Sequence, residues 1–167
     1  LADDPSFTVR DPAIDTLGRQ PLRVILDRNL RMPLSAEMLA LPGTTLVYSS
    51  SGKAADRQSL AKAGAETVDV ESVNGFVDAG QVLDDLGKRE INDVLVESGP
   101  ALAGYLLEND LVDELVIYQA PHIMGSETIG MFRTPSWKSL ADRRAIEITD
   151  ARPIGSDTRI TARCKGS

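Results

Sequence analysis

Residues 93–104 read Asp-Val-Leu-Val-Glu-Ser-Gly-Pro-Ala-Leu-Ala-Gly, and this stretch decides the fold that we expect for the chain. The apolar run at 94–96 is typical of a central strand in a parallel sheet, because such strands are covered on both faces. Pro100 suits the first position of a helix, and Gly99 lets a ligand approach the backbone closely. The stretch therefore predicts a strand, a tight turn and a helix in direct succession.

A similar alternation of strands and helices extends in both directions from this stretch. Strands are expected at 22–26, 45–48, 66–70, 115–118, 145–149 and 158–164, and helices at 54–63, from Asp78 onward and at 100–108. Apolar residues alternate along the last two strands, so these should form a half-buried antiparallel hairpin. The pattern predicts a three-layer α/β domain, with a mainly parallel sheet and a C-terminal antiparallel hairpin.

The composition excludes several classes of protein. The 167 residues are 42% hydrophobic and 26% charged, as in ordinary globular proteins. One cysteine and one histidine exclude an intrachain disulfide and a cluster of thiolate or histidine metal ligands, so we expect no metal. The formal net charge of -7 repels phosphate backbones, and no nucleic-acid partner is expected. The sequence contains no apolar run of membrane-spanning length, and the expected location is the cytoplasm.

Glu97 and the turn at Gly99 and Pro100 are the strongest candidates for a binding site. Ligands of open α/β sheets bind beyond the carboxyl ends of the strands, and the first N–H groups of a helix favour an anion. The small residues that follow would let an extended pyrophosphate pack against the turn. The stretch lacks the lysine of a P-loop and the three glycines of the dinucleotide fingerprint. From composition alone, a purely structural turn explains these residues as well.

Two arginines and the histidine are further candidates. Arg10 and Arg28 could each offer a planar guanidinium group to a phosphate, and solvated surface arginines would give the same pattern. The two adjacent aspartates before Pro5 could have a purely structural role, as the cap of a helix or a turn. His122 has no evident partner for acid–base chemistry, and we expect no catalytic role for it.

Four motifs closely resemble the reductase domain of the bifunctional riboflavin-biosynthesis deaminase/reductase, which belongs to the dihydrofolate reductase superfamily. They lie at residues 1–10, 21–27, 93–104 and 111–118. The resemblance implies a dihydrofolate-reductase-like fold. It also implies NADPH-dependent reduction of 5-amino-6-(5-phosphoribosylamino)uracil to its ribitylamino counterpart. The chain departs from the usual pattern at Ser98, where the family has glycine, and at His122, where lysine is common.

The same resemblance implies roles for individual residues. Phe7 and Arg10 would contact the ribose phosphate of the substrate, and Glu97 would also contact the substrate. The cofactor contacts would be Asp3, Arg28, Gly99, Pro100, Ala101, Leu102, Ala103, Gly104 and Tyr105. No residue is identified as catalytic, since hydride transfer from a nicotinamide needs no protein nucleophile.

The organisation of the chain follows from the resemblance too. We expect residues 1–167 to be a single reductase domain that lacks the family's N-terminal strand and helix and its upstream deaminase domain. A second copy of the chain, forming a homodimer, is the expected protein partner. The alternatives are another NADPH reductase of the dihydrofolate reductase superfamily and an inactive fragment that dimerises through its sheet.

Overall fold

The computed structural model describes residues 3–134 and 139–164. Leu1 and Ala2, the first two residues of the N-terminal motif, lie outside the described residues. The chain divides into two compact units, Leu1–Asn92 and Asp93–Ser167. The main sheet of the first unit is parallel, and that of the second unit is antiparallel.

The first unit contains a three-stranded parallel sheet in the order β1-β2-β3. The strands are β1 (Arg23–Leu26), β2 (Thr45–Ser49) and β3 (Ala65–Asp69). All five residues of the central strand β2 are buried, as expected for a parallel strand covered on both faces. These three strands confirm the sequence predictions at 22–26, 45–48 and 66–70.

Helices cover both faces of this parallel sheet. They are α1 (Glu37–Ala40), α2 (Ala54–Lys62) and α3 (Ala79–Lys88). Met38 of α1 and Leu60 of α2 belong to the same core cluster as Val47 of β2. Leu86 of α3 belongs to a second cluster with Leu46 of β2. Because neighbouring residues of a strand point to opposite faces, the unit has three layers, and the predicted α/β class is confirmed.

Local signals at the helix ends behave as the sequence indicates. The Asp78 carboxylate accepts hydrogen bonds from the N–H groups of Gly80 (2.9 Å) and Gln81 (3.2 Å), and so caps α3. Gly64, with a φ of 99°, follows the end of α2, where a left-handed residue favours glycine. Over the described ranges, no helix is both long enough and apolar enough to cross a membrane.

A short antiparallel hairpin follows the parallel sheet. It consists of β4 (Ser72–Val73) and β5 (Phe76–Val77), joined by Asn74 and Gly75, which both have positive φ. Asparagine followed by glycine is the preferred sequence for such a two-residue turn. The sequence prediction lacks this hairpin because strands of two residues carry too little periodicity to detect.

A network of polar side chains ties α3 to the parallel sheet. The Tyr48 hydroxyl donates to Asp85 (2.7 Å), and Arg89 donates to Asp85 (2.8 Å) and to Glu66 (2.7 Å). Burial, followed by the hydrogen bond to Asp85, raises the pKa of Tyr48 far above its usual value. The hydrogen bond from Tyr48 in turn holds the pKa of Asp85 below its usual range. The network therefore favours an ionised Asp85 that is hydrogen-bonded to a neutral Tyr48.

The second unit contains α4 (Pro100–Glu108) and an antiparallel sheet in the order β6-β8-β7. The strands are β6 (Glu114–Gln119), β7 (Ile146–Ile154) and β8 (Asp157–Cys164), and a 3₁₀ turn at Leu140–Asp142 precedes β7. β7 and β8 form the predicted C-terminal hairpin. The hairpin was expected to be half-buried, and only β8 meets this expectation. Ala162 of β8 is fully buried, whereas Ile148 of β7 is 60% exposed.

The predicted strand at 94–96 is wrong. Residues 91–99 form neither strand nor helix, and Val94, Leu95 and Val96 are 44%, 82% and 48% exposed. An apolar run indicates a tendency toward burial, but a strand forms only where a neighbouring strand supplies hydrogen-bond partners. The sheet of this unit pairs β6, β8 and β7 with one another and leaves the run unpaired within the described residues. Glu97 consequently follows a segment without regular secondary structure and not the end of a buried strand.

Candidate functional site

The N-terminal segment 3–10 is fixed to the first unit at three points. The Asp4 carboxylate accepts the first N–H group of α1 at 3.1 Å. Phe7 packs, partly buried, against the core cluster that includes Leu30 and Met32. The N–H group of Val9 donates to the side chain of Gln20 at 2.9 Å. These anchors hold the segment in place while leaving its two ends at the surface.

The two candidate residues at the ends of this segment are exposed. Asp3 and Arg10 both lie at the protein surface. Arg10 forms no ion pair within the described residues, so its guanidinium group is available to an anion. Phe7 lies between them and contributes to the core, which gives it a structural role in addition to the expected substrate contact.

Arg28 lies two residues beyond the end of β1, where the sequence placed it. Its carbonyl oxygen accepts the N–H groups of Ser51 (2.9 Å) and Ser50 (3.3 Å), which follow β2. Its guanidinium Nη1 donates to the carbonyl oxygen of Gly75 in the β4–β5 turn at 3.0 Å. The side chain is exposed. Two loops therefore position Arg28 at the carboxyl end of the parallel sheet, which is the edge where α/β sheets bind ligands.

In the second unit, Gly99 precedes the first turn of α4. It adopts an extended conformation at the N-cap. Among the residues that the structure describes, no side chain caps the helix, and open space surrounds the position where a Cβ would lie. The first N–H groups of a helix have no partner within the helix, and they attract anions. The predicted helix at 100–108 is confirmed to the residue, although the bounds of helices commonly differ by one or two positions. Glu97 is exposed two residues before this turn.

The candidate cofactor residues of α4 differ in accessibility. Ala101, Leu102 and Ala103 are partly buried, whereas Gly104 and Tyr105 are buried. The N–H group of Arg133 donates to the carbonyl oxygen of Pro100 at 2.8 Å, which brings the segment 128–134 over the first turns of α4. A Cβ at Gly104 would collide with the backbone of Arg133. One signal of this contact is present in the sequence, since a glycine inside a helix indicates close approach by another segment.

The predicted site residues fall into two groups, one in each unit. Asp3, Phe7, Arg10 and Arg28 belong to the first unit, and Glu97 with residues 99–105 belongs to the second. Within the first group, the cluster against which Phe7 packs includes Ile25 of β1 and Leu30, two residues after Arg28, so the N-terminal segment and the end of β1 meet at one core. Among the residues that the structure describes, no three His, Cys, Asp or Glu side chains form a group able to hold a metal ion.

Comparison with known proteins identifies the family. A sequence model described as "RibD C-terminal domain" matches residues 1–159. The chain belongs to the RibD C-terminal domain family. The resemblance seen in the four motifs is thereby confirmed over nearly the whole chain.

Individual relatives agree with this assignment. The riboflavin biosynthesis protein RibD of Escherichia coli is 34% identical over 169 residues, which cover 94% of this chain and 44% of that protein. A protein of Buchnera aphidicola named 5-amino-6-(5-phosphoribosylamino)uracil reductase is 28% identical over 96% of this chain and 80% of its own length. The structure of Acinetobacter baumannii RibD matches with a TM-score of 0.84 at 30% identity, over 99% of this chain and 44% of that chain. This chain thus spans less than half the length of RibD from these two bacteria.

Proposed function

We propose that this chain reduces 5-amino-6-(5-phosphoribosylamino)uracil to 5-amino-6-(5-phosphoribitylamino)uracil with NADPH, a step of riboflavin biosynthesis. The observation that carries the proposal is the open first turn of α4, where Gly99 leaves space beside the backbone and no side chain from the described part of the chain caps the helix. Relatives of the same family support the substrate, since one of them bears the name of this reductase.

The first turn of α4 fits the pyrophosphate of a dinucleotide. Its backbone N–H groups supply partners for phosphate oxygens, and the absence of a Cβ at Gly99 lets the ligand approach. The proposed pyrophosphate site continues along the helix with Ala101, Leu102 and Ala103. The buried Gly104 and Tyr105 support these residues from the interior. Asp3 and Arg28, which belong to the first unit, are the other proposed cofactor contacts.

The substrate would be held by the exposed side chains outside α4. Arg10 has a free guanidinium group for the ribose phosphate, and Phe7 fixes the backbone that carries it. Glu97 accepts hydrogen bonds from the sugar hydroxyls. These contacts would hold the ring-opened sugar, whose C1′ is double-bonded to nitrogen, for reduction at that carbon.

The chemistry needs one hydride and one proton. NADPH supplies the hydride when it is bound. As a C–H bond forms at C1′, the π electrons of the C=N bond move onto nitrogen, which takes up the proton. No side chain of this chain is assigned as the acid, and ordered water is a sufficient donor. The protein contributes by binding, orienting and shielding the reactants.

We further propose that both units act together as one reductase domain, in the cytoplasm, and that the protein is a homodimer. Within the described residues, the exposed large apolar side chains of the first unit are Ile14, Leu17 and Leu34, and all the others lie in the second unit. Apolar surface concentrated in this way is typical of an interface between proteins. A second copy of the chain is the occupant that a homodimer requires.

The proposal is tested by incubating the purified protein with NADPH and the phosphoribosylamino substrate. We expect NADPH consumption that depends on the substrate, with the ribitylamino product detected by mass spectrometry. Ribose 5-phosphate should compete with the substrate, whereas dihydrofolate should not be reduced. If no NADPH binds at millimolar concentration, the reductase function is excluded for this chain.

A further inference from the structure

The segment 128–134 forms a wall beside the first turn of α4. Its Arg133 is fixed there by the hydrogen bond from its N–H group to the Pro100 carbonyl oxygen, 2.8 Å long. The backbone of Arg133 also lies so close to Gly104 that any larger residue at 104 would displace it. The position of Arg133 relative to α4 is therefore set by the backbone and does not depend on the conformation of its exposed side chain.

A cleft of about 440 Å³ lies between this wall and the helix. It is lined by Pro100 of α4 and by six residues of the segment 128–134. The lining includes the hydroxyl-bearing Thr128 and Thr134 and the apolar Phe132, and its one charged residue is Arg133. Carboxylates outnumber cations in this chain, 25 to 18, yet none lines the cleft. A cleft of this composition favours an anionic ligand.

Arg133 has the chemistry to bind that anion. Within residues 3–134 and 139–164, its guanidinium group forms no ion pair. A guanidinium group binds phosphate oxygens through two parallel hydrogen bonds, which gives arginine its preference for phosphates. The two threonine hydroxyls can donate to the remaining oxygens.

We propose that Arg133 binds the pyrophosphate of the cofactor in this cleft, which adjoins the first turn of α4 at Pro100. This inference rests on the proposed function, which puts the pyrophosphate at the first turn of α4. Pro100 and Gly104, the two contacts of the Arg133 backbone, are about one helical turn apart and belong to that same stretch. Arg133 then holds the pyrophosphate beside Pro100, and the adenosine 2′-phosphate is not among its ligands.

The test uses Arg133→Gln, titrated calorimetrically with NADPH, NADH and inorganic pyrophosphate. All three share the pyrophosphate group, so we expect each to bind about 10-fold more weakly to the variant. Arg133→Lys keeps the positive charge and loses the planar guanidinium group. Its affinity for each ligand should lie between that of Arg133→Gln and that of the wild type. Arg152→Gln, at an exposed arginine of β7 in the same unit, is the matched control and should bind all three ligands normally.

A second variant tests the geometry without changing any charge. Gly104→Ala places a methyl group against the backbone of Arg133 and should push the segment 128–134 away from α4. Alanine favours the helix, so circular dichroism should show the helical content retained while NADPH binding weakens.

The outcomes separate this inference from the proposed function. Unchanged NADPH binding by Arg133→Gln overturns the role of Arg133 and leaves the reductase function standing. A loss confined to NADPH, with NADH and pyrophosphate unaffected, shows that the guanidinium group binds the 2′-phosphate, and it overturns the pyrophosphate assignment. If the wild-type protein binds none of the three ligands, the proposed function fails together with the inference.

Discussion

Arg10 is the side chain on which binding of the substrate phosphate is proposed to depend. It is exposed and has no ion-pair partner within the described residues, so its removal should leave the fold intact. A hydrogen-bonded contact between guanidinium and phosphate contributes about 2 kcal/mol, and we therefore expect Arg10→Ala to raise the KM for the substrate about 30-fold. Steady-state kinetics measure this change, and titration of the cofactor should give an unchanged Kd.

The matched control for Arg10→Ala is Arg19→Ala, which removes another exposed arginine of the same unit. It should leave both the substrate KM and the cofactor Kd as they are. An equal loss of substrate and cofactor affinity in Arg10→Ala would contradict the assignment of Arg10 to the substrate.

Tyr48 is a residue whose hydroxyl stabilises the fold and has no proposed part in the reaction. Tyr48→Phe removes the 2.7 Å hydrogen bond to Asp85 but keeps the aromatic ring in its buried position. A hydrogen bond to a charged group contributes about 2 kcal/mol, and the free energy of unfolding should fall by that amount in urea denaturation. Tyr118→Phe removes the hydroxyl of an exposed tyrosine and should change the stability little.

The effect of Tyr48→Phe should depend on pH. In the folded state the pKa of Asp85 is lowered, first by the hydrogen bond from Tyr48. A lowered pKa contributes stability above the unfolded value of about 4, and this contribution is lost as the pH falls through the folded value. The difference in unfolding free energy between the wild type and Tyr48→Phe should therefore shrink below about pH 4. A difference that grows with acidity would contradict this account.

Single residues were predictable from the sequence where their chemistry is local. Gly99, Pro100 and Arg28 stand where the pattern puts them, at a helix start and beyond a strand end. The contact of Arg133 with α4 was not predictable, because it joins positions about 30 residues apart whose spacing carries no periodic signal. Gly104 marks one side of the contact, but nothing in the sequence indicates which segment lies against it.

At the scale of elements, α3 offers a clean test of helix capping. Asp78 accepts two N–H groups of the first turn, and Asp78→Ala should lower the free energy of unfolding by about 1 kcal/mol. Asp84→Ala removes an exposed carboxylate from the same helix without removing a cap, so it serves as the control. Urea denaturation of both variants distinguishes loss of the cap from loss of charge, and equal destabilisation would argue against capping.

Elements whose signals lie within a single segment were easier to predict than a strand that needs a distant partner. The prediction of α3 rests on apolar spacing within a single segment, and that of α4 rests on Pro100 as a first helical residue. The structure reproduces both helices. Residues 94–96 have the composition of a buried strand, but a strand also needs a partner from a distant part of the chain. The sequence specifies the apolar run and leaves the pairing to the tertiary fold, which explains why this prediction failed.

At the scale of the whole molecule, the two units bury their apolar residues unequally. Both clusters of buried core residues lie within the first unit. In the second unit, Tyr105, Leu106, Leu107 and Ala162 are the buried large or apolar residues among those described. The antiparallel sheet therefore carries apolar surface that the proposed homodimer would use.

The two faces of the antiparallel sheet differ in chemistry, and this difference predicts which face forms the dimer. On one face, the strand register aligns Ile148 of β7 with Ala162 of β8 and, across β8, with Leu115 of β6. On the other face, Tyr118 of β6 is aligned with Arg159 of β8 and, across β8, with Arg152 of β7. Stable homodimer interfaces are apolar. Ala162 on this face is already buried within the chain, so the exposed Ile146 and Ile148 of the edge strand β7 should be the side chains that the second copy covers. We expect Ile148→Asp to convert the dimer to monomers in sedimentation velocity, while Tyr118→Asp leaves it dimeric. Because Ile148 is 60% exposed, the monomer should keep its fold, which circular dichroism would verify. Dissociation by Tyr118→Asp alone would assign the interface to the opposite face, and a monomeric wild type would exclude the homodimer.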